Sequence, residues 1–368
     1  MEYVFNKYTK SSLELSKRVL MKILVTGNTG YIGPVLGRQL RKNINNLTLI
    51  GYDTGFFAHC LTAADVSPEI KYDIQYFGDI RKFNENILDG IDVVIHLAAI
   101  SNDPMGNKFS EITEEINSKA SEEFAKAAKK QGVKKFVFAS SCSMYGSSDV
   151  GRRKETDELN PLTAYARSKV YMEKVLESLA DVNFEATCLR YSTACGMSPR
   201  LRLDLVLNDF VACALVTGKI QILSDGTPWR PLIDVQDMVR SMEWAIHRTH
   251  YDGENFVAVN VGRNEWNYQV IDLANEVAKR IPGTKIEVNK EAAPDKRSYQ
   301  VDFSLYASLA PNHLPSVNLA QSIDELVEGL KKMNFKDPDF RSSEMMRLKV
   351  LQNLKQKQLL NEDLYWSS

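Results

Sequence analysis

Tyr165 and Lys169 stand four residues apart in the run Tyr165-Ala166-Arg167-Ser168-Lys169. In a helix that spacing puts a phenol and an ammonium on one face. A free tyrosine, with a pKa of about 10, is a poor base at neutral pH. A neighbouring cation favours the phenolate and brings it toward the range a general base needs. Alone, such a pair is common, and in most chains it is a solvated helix face. Upstream, the apolar run Phe136-Val137-Phe138-Ala139 ends in Ser140-Ser141. Ligands of open α/β sheets gather beyond the carboxyl ends of strands, so Ser141 is placed to hydrogen-bond a substrate oxygen.

A second constellation precedes these. The run Ile23-Leu24-Val25-Thr26 leads straight into Gly27-x-x-Gly30-x-x-Gly33. Glycine permits a positive φ at the turn and a close approach of backbone to a diphosphate. The helix that opens there aims its dipole and the amides around Thr29, Tyr31 and Ile32 at the phosphates. Gly33 allows helix and strand to pack closely. A tight turn without a ligand is the competing reading. The next strand-like run, Leu47–Gly51, is followed by Tyr52-Asp53, where a carboxylate accepts ribose hydroxyls and repels a 2′-phosphate, which favours NAD over NADP. Asp79-Ile80, after the aromatic, strand-like run Gln75-Tyr76-Phe77, either faces the adenine or caps its loop.

The elements that must hold these groups alternate. Apolar runs at 22–26, 47–52, 92–97, 135–139, 186–190 and 256–261 read as strands. Helical patterns cover 31–42, 111–131, 164–179, 267–280, 322–333 and 341–358, the last charged and expected to pack on the outside. Buried strands alternating with amphipathic helices predict an α/β fold, a doubly wound parallel sheet of Rossmann type with a smaller C-terminal substrate-binding lobe. The expected division is an extension over 1–20, a dinucleotide-binding domain over 21–191 with a contribution from 232–262, a substrate lobe from 192–231 and 263–340, and a C-terminal helix over 341–368. Residues 1–20 lack a signal peptide's apolar core. Met21 is an alternative start, or the leader is a short extra helix.

With 368 residues, 44% of them hydrophobic, the chain can bury a large core, and a net charge of −1 with no basic block argues against nucleic acid. No apolar run reaches the roughly 20 residues of a membrane span. Five scattered cysteines without a CxxC pair suit a reducing compartment, so the expected location is cytoplasmic. No metal site is expected.

The GxxGxxG spacing, followed in order by Ser141 and Tyr165-x-x-x-Lys169, resembles the extended short-chain dehydrogenase/reductase family of NAD-dependent nucleotide-sugar epimerases and dehydratases. The likeness covers nearly the whole chain after Met21. It implies that Tyr165 exchanges the proton of a sugar hydroxyl, that Ser141 holds that hydroxyl, and that Lys169 binds the nicotinamide ribose and tunes Tyr165. It implies cofactor contacts from Leu97, Ala98 and Ala99 in His96-Leu97-Ala98-Ala99, from Asn117, and from Ser140. It also implies a homodimer packed through the helices near 111–131 and 164–179.

Dehydratases of this family carry an Asp-Glu pair where this chain has Cys142-Ser143, so dehydration is not expected. Cys142 reads as a packing residue. Epimerisation at C4 and single oxidation or reduction there remain open, and a non-catalytic dinucleotide-binding regulator stands behind both. The run Cys195–Phe210 is similar to a subgroup that includes nucleotide-heptose C4 dehydrogenases. Thr193 stands where many members have an asparagine on the sugar nucleotide. The expected substrate-binding residues are Ser141, Thr193, Arg200, Arg202, Arg230 and Arg297, the arginines because their planar fork suits diphosphates. Asp234 and Asp237 are expected as helix caps.

Overall fold

The computed structural model describes residues 20–62, 64–146, 151–249, 254–289, 291 and 298–367. The leader over 1–20 lies outside the described residues, apart from Leu20.

Seven strands form the central sheet: β1 Met21–Thr26, β2 Leu47–Asp53, β3 Ile74–Phe77, β4 Val93–His96, β5 Lys135–Ser141, β6 Glu185–Tyr191 and β7 Phe256–Val261. Their order is β7-β6-β5-β4-β1-β2-β3, and every pair is parallel. The order reverses between β1 and β4, which opens a crevice at the carboxyl ends of those strands. The sheet is a doubly wound Rossmann sheet.

The helices are α1 Gly33–Asn43, α2 Asp103–Lys108, α3 Ser110–Glu114, α4 Ser121–Lys130, α5 Ala164–Leu179, α6 Val206–Thr217, α7 Val235–His247, α8 Val270–Arg280, α9 Ser304–Leu309, α10 Leu319–Lys332 and α11 Arg347–Gln356. One sheet face is covered by α4 and α5 through Phe124, Ala125, Met172 and Leu176. The other is covered by α1 and α7 through Leu36, Leu40, Val239 and Met242. A third cluster lies off the sheet, where α6, α8 and α10 bring together Phe210, Val211, Leu273, Val277, Leu326 and Leu330. Among the described residues no helix is long and apolar enough to cross a membrane.

Three elements differ from the sequence reading. The helix expected over 111–131 is interrupted by a π-helical turn, Glu115–Ala120, between α3 and α4. The expected start of the helix at 267 is a short strand, Asn267–Gln269, pairing antiparallel with Trp229–Pro231. The C-terminal helix does not pack on the outside: Val350, Leu351 and Leu354 join the cluster of Tyr52, Phe56 and Phe109. Its charged residues hid a buried stripe at helical spacing.

Candidate active site

One cavity of about 980 Å³ opens at the carboxyl ends of the strands and carries most of the expected site residues. That size suits a cofactor-and-substrate cleft.

At one end, Gly27, Gly30, Tyr31 and Ile32 line the wall at the start of α1. Gly27 has φ +73°, and a Cβ there would stand 2.6 Å from the Ala98 nitrogen. Only glycine lets the loop seat against the end of β4. The helix start has no side-chain cap. The first N–H groups of a helix have no partners within it, so an uncapped start facing a cavity is suited to an anion. Gly33 does not line the cavity. Its Cα faces Asn28, where a Cβ would lie 2.0 Å from the backbone oxygen, so its smallness serves packing.

Asp53 lines the cavity at the end of β2. The Thr29 N–H donates to its Oδ2 at 3.0 Å and the Gly55 N–H to its Oδ1 at 2.7 Å. Thr29 therefore acts on Asp53 rather than on the cavity, which it does not line. Burial pushes the Asp53 pKa up against those bonds. Asp79 and Ile80 also line this end. Asp79 caps the short turn that follows, accepting the Arg81 N–H at 2.8 Å. An anion-accepting helix start, a close-packed glycine and a carboxylate at the second strand fit a dinucleotide.

The reacting groups share this cavity. Ser141, Tyr165 and Lys169 all line the cavity, with Ser140, Leu97, Ala98 and Ala99 beside them. Thr163 caps α5, accepting the Ala166 N–H at 3.1 Å, and its hydroxyl donates to Asp103 at 2.7 Å. Gly106 on α2 leaves room for Tyr165, whose Cβ would stand 3.3 Å from a Cβ there. Lys169 Nζ lies 4.6 Å from the Phe138 ring centre and 5.4 Å from that of Tyr165.

Burial raises the Tyr165 pKa to about 12; a hydrogen bond with Ser141 pulls it down, the Asp103 carboxylate adds to the rise, and the Arg202 cation opposes it. Burial also lowers the Lys169 pKa to about 7. The sequence reading assigned the tuning of Tyr165 to Lys169. The groups that pull the Tyr165 pKa down are Ser141 first and then Arg202.

Asn117 is not at the cavity wall. It sits in the π-helical turn and holds Ile100 at both backbone atoms, accepting its N–H at 2.8 Å and donating to its oxygen at 3.0 Å. The turn instead presents Ile116 to the cavity. Behind Ser140 lies an unforeseen ion pair: Arg190 clasps Glu173 at 2.7 Å, and the Ser140 hydroxyl donates to the same carboxylate. Glu173 falls four residues after Lys169 on the same helix face, the one signal that could have found it.

Thr193, Arg202 and Arg230 also line the wall. Arg202 pairs with Asp204 and donates to Ser101, and Asn102 donates to Asp204 at 2.8 Å. Arg230 donates to the Trp229 carbonyl. Arg200 is turned away from the cavity. It is buried against Glu69 at 2.6 Å and the Ala58 carbonyl, so it braces the loop after β2 rather than meeting substrate. Arg297 lies outside the described residues. Sequence reasoning missed Asp103, Asp204, Tyr299, Arg341 and Arg347, all on the cavity wall. Asp103 and Asp204 were visible as single acids beside expected motifs; Arg341 and Arg347 were masked by the reading of their segment as peripheral.

Cys142 is fully buried, its thiol donating to the Arg190 carbonyl, and burial drives its pKa up. It is a packing residue. Asp234 caps α7. Asp237 does not cap that helix but accepts the N–H groups of Ser316 and Val317.

Residues 23–262, more than half of the chain, match the profile of the NAD dependent epimerase/dehydratase family. The chain belongs to that family. As such it is an enzyme that uses NAD. A Bacillus subtilis relative described as an uncharacterized UDP-glucose epimerase, YtcB, is 28% identical over 270 residues, spanning 71% of this chain and 83% of its own. A UDP-glucose 4-epimerase from Lacticaseibacillus casei is 28% identical over 294 residues, spanning 72% and 84%. Among solved structures, the UDP-glucuronic acid 4-epimerase from Bacillus cereus, in complex with UDP-glucuronic acid and NAD, superposes with a TM-score of 0.72 at 24% identity, over 85% of this chain and 100% of that one. TunA, an NDP-hexosamine 5,6-dehydratase, superposes with a TM-score of 0.73 at 21% identity, over 87% and 99%. This member of the family thus shares its fold with epimerases and a dehydratase alike.

Proposed function

We propose that this enzyme epimerises a nucleotide sugar at C4. The observation that carries the reading is that one cavity is lined by the glycine loop and Asp53, by Ser141, Tyr165 and Lys169, and by Arg202 and Arg230. Its relatives named as UDP-glucose 4-epimerases support the same reaction.

NAD, when bound, supplies the acceptor and later the donor of a hydride. The chain's own groups handle the proton. The Tyr165 phenolate takes the proton of the C4 hydroxyl while the hydride leaves that carbon. The Tyr165 phenol returns it when the resulting ketone receives the hydride on its other face. Ser141 hydrogen-bonds the same oxygen in both halves, and Arg202 favours the phenolate form. Lys169 holds the nicotinamide ribose, and Asp53 the adenosine ribose. Thr193 and Arg230 contact the sugar nucleotide, and Arg297 adds a second diphosphate contact.

No carboxylate pair stands at Cys142 and Ser143, which disfavours elimination of water. The run around Arg200, Arg202 and Asp204 favours a second reading, oxidation or reduction at C4 without epimerisation. Mass spectrometry of products from a panel of nucleotide sugars, with and without added NAD, tests both. Epimerisation leaves the mass unchanged and alters the stereochemistry. A change of two hydrogens would overturn it in favour of a dehydrogenase or reductase.

The enzyme is proposed to act as a homodimer in the cytoplasm. The dimer reading rests on α4 and α5 as the paired helices, and light scattering tests it. The compartment reading rests on five free, buried cysteines.

A further inference from the structure

We propose that the segment 359–367 is a strap that positions the adenosine side of the dinucleotide site and slows the release of NAD. This rests on the reading of the cavity as an NAD site, and it concerns residues outside the stretch that matches the family.

The strap is a small closed loop after α11. Leu360 pairs with Trp366 in an isolated antiparallel bridge. The Asn361 N–H donates to the Tyr365 carbonyl at 2.9 Å, and the Asn361 side chain accepts the N–H groups of Asp363 and Tyr365. Leu360 and Leu364 anchor it in the same apolar cluster as Ile50, Tyr52, Phe56 and Ile80.

From that anchor it grips three elements that reach the cavity. Trp366 donates its indole N–H to the Thr54 carbonyl at 2.6 Å and packs on Phe56, with ring centres 5.8 Å apart. Thr54 and Phe56 follow Asp53 along the wall. Arg81 donates to the Asp363 carbonyl at 2.7 Å and the Leu364 carbonyl at 3.2 Å, with its guanidinium 3.6 Å above the Tyr365 ring. The same guanidinium holds the Asp79 carboxylate at 2.6 Å. Tyr365 donates its hydroxyl to Glu115 at 3.2 Å, at the start of the π-helical turn. Asp53, Asp79 and Ile116, each at the cavity wall, are thus tied through one loop.

Loops that must order on binding weaken it, and loops already ordered strengthen it and lengthen residence. Tyr365 and Trp366 are therefore positioning residues: they touch no ligand but hold the loops that do. A cofactor held this way stays with the protein through both halves of a turnover, as a reaction that returns its hydride requires.

The test uses the full chain carrying Tyr365→Ala and Trp366→Leu together, which leaves Leu360 and Leu364 in the core. NAD release is followed by cofactor retained on gel filtration and by displacement with excess labelled NAD. The expected result is release at least tenfold faster, with an unchanged circular dichroism spectrum. Glu362→Ala, on the outer side where Glu362 pairs only with Lys355 among the described residues, should release NAD as the natural chain does. Release unchanged in the double variant, or quickened equally by Glu362→Ala, overturns the strap. Should the double variant fail to fold, Trp366→Phe keeps the ring on Phe56 and removes only the N–H to Thr54, and an unchanged rate there overturns it too. Failure of the natural chain to bind NAD at all would overturn the cofactor reading itself, which is a separate result.

Discussion

Lys169 Nζ lies 5.4 Å from the centre of the Tyr165 ring, and one burial drives both groups toward their neutral forms. The lysine falls to about 7 and the phenol rises to about 12. The expected consequence at Tyr165 is simple. Tyr165→Phe removes the proton donor and acceptor but keeps the ring against Gly106. Turnover should fall by roughly 10²-fold to 10⁴-fold or more, the span of general acid–base catalysis, while NAD remains bound. Steady-state rates beside a cofactor titration check this, and full activity would remove Tyr165 from the reaction.

Lys169 should show a trade of stability for function. Its folded pKa is depressed, so between about pH 7 and its unfolded value the unfolded chain holds one more proton than the folded one. Stability from this group therefore rises as pH rises through that window, and the full cost is present below it. Lys169→Met should raise the urea midpoint at pH 6 more than at pH 9, and should weaken cofactor binding. An equal effect at both pH values would contradict the burial argument.

Much of this was legible in the sequence, and the reason is local. Strands buried on both faces read as continuous apolar runs, so six strands were found directly and β3 was suspected from its aromatic residues. The place of Gly27, Asp53, Ser141, Tyr165 and Lys169 at the cavity was legible because it depends on position at strand ends and on one helix face. What stayed hidden depends on contacts between distant segments. Arg200 and Arg202 look alike in sequence, yet Glu69 claims one and Asp204 leaves the other at the wall. Arg347 lies on α11, in a segment read as peripheral, yet it is buried at the cavity and stacks over Phe57.

Asp53 should decide between the two nicotinamide cofactors. Its carboxylate is already fixed by the amides of Thr29 and Gly55, so it cannot swing away from a 2′-phosphate. Asp53→Ser should weaken NAD by about tenfold or more, the scale of a hydrogen bond to a charged group. It should also narrow the preference for NAD over NADP by at least the same factor. Fluorescence titration with both cofactors measures this, and an unchanged preference would relieve Asp53 of the role.

His96 should make the fold acid-sensitive. It is buried between Thr26 and Ser121, 2.9 and 3.0 Å away, and burial lowers its pKa to about 3. Below about pH 6.5 the unfolded chain gains a proton that the folded chain refuses. Stability is then lost at about 1.4 kcal/mol per pH unit as pH falls toward 3. His96→Gln, which keeps a donor and an acceptor, should flatten the urea stability profile between pH 6.5 and 4.5 by about that slope.

The Arg190–Glu173 pair should be worth more as a constraint than as a source of stability. Both side chains are buried, and Arg190 also donates to Tyr145 at 3.0 Å while Glu173 accepts from Ser140. Arg190→Met strands a buried carboxylate and should cost about 3–5 kcal/mol. Adding Glu173→Leu removes the stranded charge and should restore most of that loss, because two desolvated ions repay their burial poorly. The double variant should still turn over more slowly, since Ser140 has lost the acceptor that fixes the strand end beside Ser141. Chemical denaturation of the three variants separates the stability effect, and kcat at saturating substrate reads the positional one. Full activity in the double variant would mean that the ion pair holds nothing the chemistry needs.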